Sequence, residues 1–406
     1  VLVTLSILSF IYLIIIHNIY YKKKEYYETY LKILDKYKDR LNNNWYNFKD
    51  TGINFLDIKD NFLKDLDIVG EKSLYQYICS AKTKGGKYKL LKNLSNIELD
   101  EIELNNRKEL IQELVKNPKF ILEFQIYLDK LKDNIDLEDS IKNINNKIPN
   151  NHFLLLTILG NSISVILLVL SQFKIIPLSI FMSIIIIKYL ISYIYSYFYK
   201  DILKEISDIS NIIYSLKNIF IYILESNLNS NIINNIKQNT NNTLPLIEKI
   251  ESIKSFTYLK ENFLANFIFN GIFTIDPLIL YFYHNIKENK NKYIFKSTQN
   301  IEYLEMLISL SNIGILKENV CIPNKTNKID LNFTNIKHPL LNESNCIPNN
   351  FKLNNNINII TGSNMSGKTS FLRTIGINLI LANAGTYVCA NTFNYNYYKI
   401  FTSMRV

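Results

Sequence analysis

The chain has 406 residues, 48% hydrophobic and 20% charged, which at roughly 100–200 residues per domain allows two to four domains and excludes a chain disordered throughout. With 46 Lys plus Arg against 36 Asp plus Glu, its net charge of +10 is compatible with a phosphate-bearing partner (nucleic acid, nucleotide or anionic lipid) without choosing among them. A content of 11 Gly and 8 Pro excludes a loop-rich or collagen-like chain.

Residues 1–21 carry no charge and are followed at once by Lys22, Lys23 and Lys24. A bilayer span needs about 20 apolar residues. A cleaved signal peptide would put its charge before the apolar run and end in small residues, not aromatics. The segment is therefore expected to be a retained anchor with a cytoplasmic Lys-rich flank. Residues 22–150 are helix-patterned, with Lys84-Gly85-Gly86-Lys87 expected as a turn between helices. Phe153–Phe173 is a second uncharged run of spanning length, and Ile175–Tyr199 a third, interrupted only by Lys188. A mid-membrane lysine is costly unless it snorkels or pairs, so a buried hairpin in a soluble domain competes with the preferred reading, a transmembrane hairpin. Lys142 and Lys147 before it, and Lys200 and Lys204 after it, predict that both ends are cytoplasmic. The amino end then lies outside and everything from Lys200 onward inside.

Ile202, Ile206, Ile209, Ile213, Leu216, Phe220 and Ile223 alternate at spacings of four and three. This is a heptad seam on one long helix, read either as a bundle face or as an extended lever. Residues 225–245 are rich in Asn and Ser, and Pro245 predicts a loop or helix junction there. Helical periodicity then resumes to Glu318. The apolar stretch 263–283 within it contains Asp276-Pro277 and is expected to be core of the soluble part. From Asn319, short β-like runs alternate with turns, as in an α/β domain. The chain starts at Val1 rather than Met and stops at Val406 beside an apparent strand, which predicts a piece of a longer reading frame, cut at the C-terminus and slightly at the N-terminus. Cys79, Cys321, Cys346 and Cys389 form no CxxC pair, and His17, His152, His284 and His338 do not cluster. Neither a disulfide framework nor a zinc site is expected.

The chemistry concentrates at Gly362-Ser363-Asn364-Met365-Ser366-Gly367-Lys368-Thr369, which fits GxxxxGK[ST] without a gap. Ile357–Ile360 before it reads as a buried strand. Thr369–Ala384 after it has helical periodicity, with Gly385 as a natural C-cap. Glycines let backbone N–H groups turn around phosphate oxygens, and the helix N-terminus adds partial positive charge. Lys368 would neutralise the β- and γ-phosphates of ATP, and the Thr369 hydroxyl would reach Mg²⁺; Ser370 completes the candidate set. No strand ending in Asp-Glu follows Lys368, so the residues given are expected to bind nucleotide weakly and turn it over poorly.

Thr361–Arg373, TGSNMSGKTSFLR, resembles the nucleotide loop of the MutS family of DNA mismatch-repair ATPases, its Asn-Met pair being distinctive. Ala382–Ala390 resembles the segment after the loop helix, and Phe401–Arg405 the strand before the second nucleotide motif. Lys337-His338-Pro339-Leu340 resembles the element opening that ATPase domain, and Ile301–Ile313 the helix leading into it. Asp67–Tyr77, Thr83–Gly86 and Asn106–Leu114 resemble the start of the helical core.

The resemblance implies a mainly α fold with a C-terminal α/β domain: a helical core and lever region feeding a partial ABC-type P-loop ATPase domain that dimerises around ATP. The expected organisation is a transmembrane anchor at 1–21, a helical MutS-like core at 22–150, a transmembrane hairpin at 151–200, a helical lever and core return at 201–318, and the start of the ATPase domain at 319–406. Carried over by position, Gly362, Asn364, Gly367, Lys368 and Thr369 would contact phosphates and Mg²⁺, and His338 would lie near the base. On the residues alone His338 reads as a structural His before Pro339. No room exists before residue 60 for a mismatch-reading domain, and the hairpin stands where levers and a DNA clamp would lie. The chain thus resembles a membrane-bound MutS-like subgroup, with DNA, a lipid bilayer and a second copy as expected partners. The competing readings are a membrane DNA-binding module that uses ATP as a switch and a transport ATPase.

Overall fold

The computed structural model describes residues 2–56, 61–95, 99–131, 135–137, 152–258, 263–327, 330–343, 345–353, 357–363 and 366–403. Lys142 and Lys147, expected to flank the hairpin, lie outside the described residues. The fold is mostly helical with one small mixed sheet. It divides into two compact units: residues 1–135, 226–234 and 301–406 form one, and 136–225 with 235–300 the other.

In the first unit, α1 (Leu2–Leu41) is one unbroken helix. The charge boundary at Lys22 is therefore not a structural break. Its first half leaves Leu13, Ile15 and Tyr20 exposed, while Ile33 and Arg40 near its end are buried. Arg40 donates from Nε to the Tyr77 carbonyl at 2.7 Å and from Nη2 to the Cys79 carbonyl at 2.7 Å. Those carbonyls close the short helix α2 (Leu74–Ile78), so a cation sits where the helix leaves acceptors unpaired.

The expected turn at Lys84–Lys87 is instead the first turn of α3 (Lys84–Leu94), capped by Thr83, whose hydroxyl accepts from Gly86 N–H at 3.0 Å. The two glycines serve packing. A Cβ on Gly85 would lie 2.2 Å from Glu302 Cδ, and one on Gly86 2.5 Å from Glu305 Oε2. α4 (Glu101–Lys116) and α5 (Pro118–Asp129) complete this helical layer.

Glu305 is fully buried and accepts from Lys82 N–H at 2.6 Å, from Thr83 N–H at 3.1 Å and from the Thr83 hydroxyl. Burial pushes its carboxyl up from 4.5 to about 7, against the pull of those donors. A raised carboxyl contributes stability that is full below 4.5 and is lost as pH rises to 7. Glu305→Gln keeps an acceptor for the two N–H groups and gains a donor for the Thr83 hydroxyl. Thermal melts should show the wild type losing stability against this variant between pH 4.5 and 7, by about 1–3 kcal/mol. Parallel pH curves would refute the assignment.

The sheet orders β1 (Asn324–Lys325), β4 (Thr392–Tyr395), β2 (Leu331–Ile336) and β3 (Asn349–Lys352), with β1–β4 parallel and the other pairs antiparallel. Phe333 sits opposite both Phe351 and Phe393, with ring centroids 5.7 Å away on either side, and this aromatic ladder sets the register.

In the second unit, α6 (His152–Gln172) and α7 (Leu178–Phe198) form the expected hairpin and α8 (Lys200–Glu225) carries the seam. Ile206, Ile213, Leu216, Phe220 and Ile223 are buried, as a bundle face requires. The expected junction is present but short: residues 226–230 separate α8 from α9 (Asn231–Tyr258), which runs straight through Pro245, so only the break at the proline is corrected. Ile233, Ile236, Thr240, Thr243, Ile247 and Ile250 are buried at alternating three and four spacing. Two threonines hold apolar positions by bonding back to the Ile236 and Asn239 carbonyls, both at 2.8 Å. Pro245 lies on the exposed face, so the carbonyl it leaves without a donor can be solvated. α10 (Phe263–Phe273) follows, and α11 (Ile275–Leu316) has residues 275–300 in this unit and 301–316 in the first.

Candidate functional site

The glycine loop leads into α12 (Lys368–Asn383), and Gly385 ends it with φ +77°, as the sequence predicts. Gly367 caps its start at φ +85°, where any other residue is strained. At Gly362 a Cβ would fall 2.7 Å from Ser366 Oγ, so a larger residue there would displace the Ser366 hydroxyl. Lys368 Nζ folds back and donates to the carbonyls of Gly362, at 2.6 Å, and Ser363. Gly362, Ser363, Ser366, Gly367, Thr369 and Ser370 are exposed and Lys368 is half-buried, so the hydroxyls and the ammonium stay open to a ligand. Asn364 and Met365 lie outside the described residues.

Upstream, one expectation is overturned. Ile357–Ile360 forms no strand, and Ile357 and Ile359 are 79% and 83% exposed. A buried parallel strand needs neighbours to pair with, and among the described residues none pairs with this run. Phe401–Ser403 likewise carries no strand, and Met404 and Arg405 lie outside the described residues.

His338 stands 24 residues before the loop yet lines the same cleft, of about 470 Å³, as Ser366, Gly367, Lys368 and Ser370. Phe371 and Cys346 close its sides. The ring is buried, and its Nδ1 accepts from Leu340 N–H at 3.2 Å, which leaves the proton of the neutral ring on Nε2. Burial, and then the nearby Arg373 and Lys317, push it down from 6.5 to about 4. A lowered histidine contributes stability that is full above 6.5 and is lost as pH falls to 4. His338→Leu should flatten the acid limb of a pH–melting curve in that window, while losing about 1 kcal/mol at neutral pH for the orphaned Leu340 N–H. An unchanged acid limb would refute the neutral-histidine reading.

What holds this cleft together was not singled out from the sequence. Asn378 is buried in α12, donates to the Lys337 carbonyl at 3.1 Å and accepts from Cys389 N–H at 2.8 Å. It ties the loop helix to the histidine segment on one side and to the chain beyond the helix on the other. Its signal was present: an Asn on the otherwise apolar face Ile377–Ala382. Arg373 adds a 2.8 Å ion pair to Asp67, and Phe371 sets its ring edge-on to Phe351 at 6.3 Å. The arrangement offers N–H groups at a helix start, an ammonium, two hydroxyls and a neutral imidazole around one cleft. This set suits a polyphosphate carrying an aromatic base.

Residues 358–405 match the family model for MutS domain V. Over 107 residues the chain is 35% identical to the DNA mismatch repair protein MutS of Clostridioides difficile (strain 630), covering 24% of this chain and 11% of that protein. It is 41% identical over 70 residues to the mitochondrial DNA mismatch repair protein mutS homolog of Sarcophyton glaucum, covering 16% and 7%. It is 29% identical over 179 residues to the MutS protein homolog 4 of Candida albicans, covering 40% and 21%. The chain thus spans a minor part of the relatives it matches, and the likeness lies in a segment similar to MutS domain V.

Proposed function

We propose that the chain is the membrane-anchored part of a MutS-like ATPase that binds ATP and Mg²⁺, pairs with a second copy through its P-loop domain and acts on DNA. The observation that carries this is Gly367 at φ +85° opening α12, with Lys368 turned back onto the Gly362 and Ser363 carbonyls, within the segment that matches MutS domain V. The residues fit the ligand. Gly362, Ser363, Ser366 and Gly367, with Asn364 and Met365 by sequence, would wrap the phosphates. Lys368 would exchange the loop carbonyls for phosphate oxygens, Thr369 would offer its hydroxyl to Mg²⁺, Ser370 would contact the nucleotide, and His338 would lie near the base. Bound Mg²⁺–ATP supplies a γ-phosphoryl group for transfer to water.

Among the described residues, α7 is long and apolar enough to cross a membrane, and only 17% of its apolar window is buried. α6 holds a shorter apolar stretch, 157–172. Together with the uncharged start of α1 they support a multi-pass anchor with the nucleotide site cytoplasmic.

The test is ATP turnover by the full protein in lipid nanodiscs, with and without duplex DNA. Turnover that requires Lys368 and changes with DNA is the expected result; turnover unaffected by Lys368→Ala would sink the ATPase reading. DNA affinity should weaken as salt is raised, because phosphate contacts release counterions. Salt-independent affinity would remove the backbone-binding reading.

A further inference from the structure

The second unit has its polarity inverted around the α6–α7 hairpin. Leu159, Ile166, Ile187 and Ile194 are each more than half exposed, whereas Ser164, Ser192, Asn270 and Asp276 are buried. A fold bathed in water sorts these residues the other way. α10 packs on both helices of this hairpin and ends on the exposed Phe273.

Lys188 is the middle residue of α7, whose 21 residues span about 31 Å, the thickness of a bilayer core. Among the described residues its ammonium has no acidic hydrogen-bond partner. It donates to Asn161 Oδ1 at 3.0 Å, Ser164 Oγ at 2.7 Å and the Gly160 carbonyl at 3.2 Å, all near the middle of α6. The fourth acceptor is the Ile272 carbonyl, at 2.7 Å. Asn161 Nδ2 takes the next carbonyl, Phe273, at 2.6 Å. These two carbonyls end α10, where a helix leaves its acceptors unpaired and its dipole negative. In hydrocarbon no water can fill that role.

The path of the chain agrees. α10 runs against α7: Phe267 meets Tyr189 with ring centroids 5.0 Å apart, and Gly271 meets Ile185 so closely that a Cβ would lie 2.6 Å from Ile185 Cγ2. At Thr274, with φ +42°, the direction reverses, and Asp276 bonds Ser196, back near the end of α7. Eleven residues of α10 reach about 16 Å, half of a bilayer core. Parity also requires a return. Residues 1–135 and 301–406 share one compact unit, so the chain between them crosses an even number of times, and the hairpin already supplies two crossings.

We propose that α10 is a re-entrant half-helix, embedded in lipid beside the hairpin, whose carbonyl end is held at mid-bilayer by Lys188 and Asn161 before the chain returns at Thr274. This rests on the membrane reading of the hairpin and replaces the expectation that 263–283 is core of a soluble part. It also gives Lys188 its reason: the cation closes a broken helix.

The test uses single nitroxide labels at Ile187→Cys, Phe198→Cys and Phe273→Cys, all exposed positions, in a Cys321→Ser/Cys346→Ser background. The full chain is reconstituted in phosphatidylcholine liposomes, and collisions with oxygen and with a water-soluble nickel chelate report depth. The label at Phe273 should lie as deep as that at Ile187, about 15 Å below the surface, and deeper than that at Phe198. A deep Ile187 with a shallow Phe273 overturns the half-helix and leaves the hairpin standing; a shallow Ile187 overturns both. If Tyr293→Cys reacts with an impermeant maleimide from the same face as Lys174→Cys, α10 crosses and the proposal falls. Lys188→Met should move the Phe273 label toward the surface while Ile187 stays, and Lys188→Arg should restore it in part. An unmoved label in Lys188→Met overturns the role of the lysine.

Discussion

Lys368→Ala should weaken binding of a fluorescent ATP analogue by about 100-fold, with no change in melting temperature. The two halves of this expectation have separate causes. Among the described residues Lys368 Nζ bonds acceptors of its own loop: the Gly362 and Ser363 carbonyls and, at 3.4 Å, Ser366 Oγ. The loop around it is exposed, so water replaces the ammonium and the fold loses little. A polyphosphate has no such substitute. Each charge-assisted bond to it contributes about 1.5–3 kcal/mol. Equal affinities for variant and wild type would show that the loop does not hold phosphate, whatever its sequence resembles. Lys368→Arg should not restore full binding, because a planar fork does not fit a cradle built for a point charge.

Arg107→Ala should cost about 3–5 kcal/mol and lower the melting temperature by roughly 10 °C. Arg107 is 2% exposed and lies over the Tyr303 ring. Nη1 donates to Asn93 Oδ1 at 2.6 Å and to the Ala384 carbonyl at 3.2 Å, and Nη2 to Glu103 Oε1 at 3.0 Å. One side chain thus joins α3, α4 and the end of the loop helix α12. Its stem also packs on Gly385, where a Cβ would lie 3.2 Å from Arg107 Cδ. Truncation takes the guanidinium from the buried Ala384 carbonyl and the half-buried Asn93 Oδ1 and opens a void. Arg107→Lys should rescue little, since three acceptors in fork geometry need a guanidinium. Near-UV dichroism melts of the full chain in detergent decide the matter; a shift of a degree or two would mean that the surroundings relax into the gap.

The loop, its helix and Gly385 were legible in the sequence because each follows from local stereochemistry. A glycine at φ +85° before a helix, a lysine one residue later and a glycine at the helix end are needs met within a turn or two. The α6–α7 hairpin and the seam on α8 were legible through periodicity and run length. The misses share a different cause. Ile357–Ile360 has the composition of a buried strand, but a strand is made by its neighbours, and none pairs with it among the described residues. The Asn- and Ser-rich run does break the helix at 226–230, but Pro245 does not, because the buried face Ile233–Ile250 outweighs it. Lys84–Lys87 has the composition of a turn, but its glycines answer to Glu302 and Glu305, more than two hundred residues away.

The sequence by itself thus determined where phosphate chemistry is possible and which runs are helical and apolar. Only the tertiary structure gave Asn378 its partners on both sides of the cleft, buried Glu305 against the cap of α3 and set Lys188 at the end of α10. The physical reason is one of range. Backbone conformation and amphipathic period are written within a few neighbouring residues. Burial, desolvation and the pairing of a charge depend on partners that the chain supplies only after it has folded back on itself.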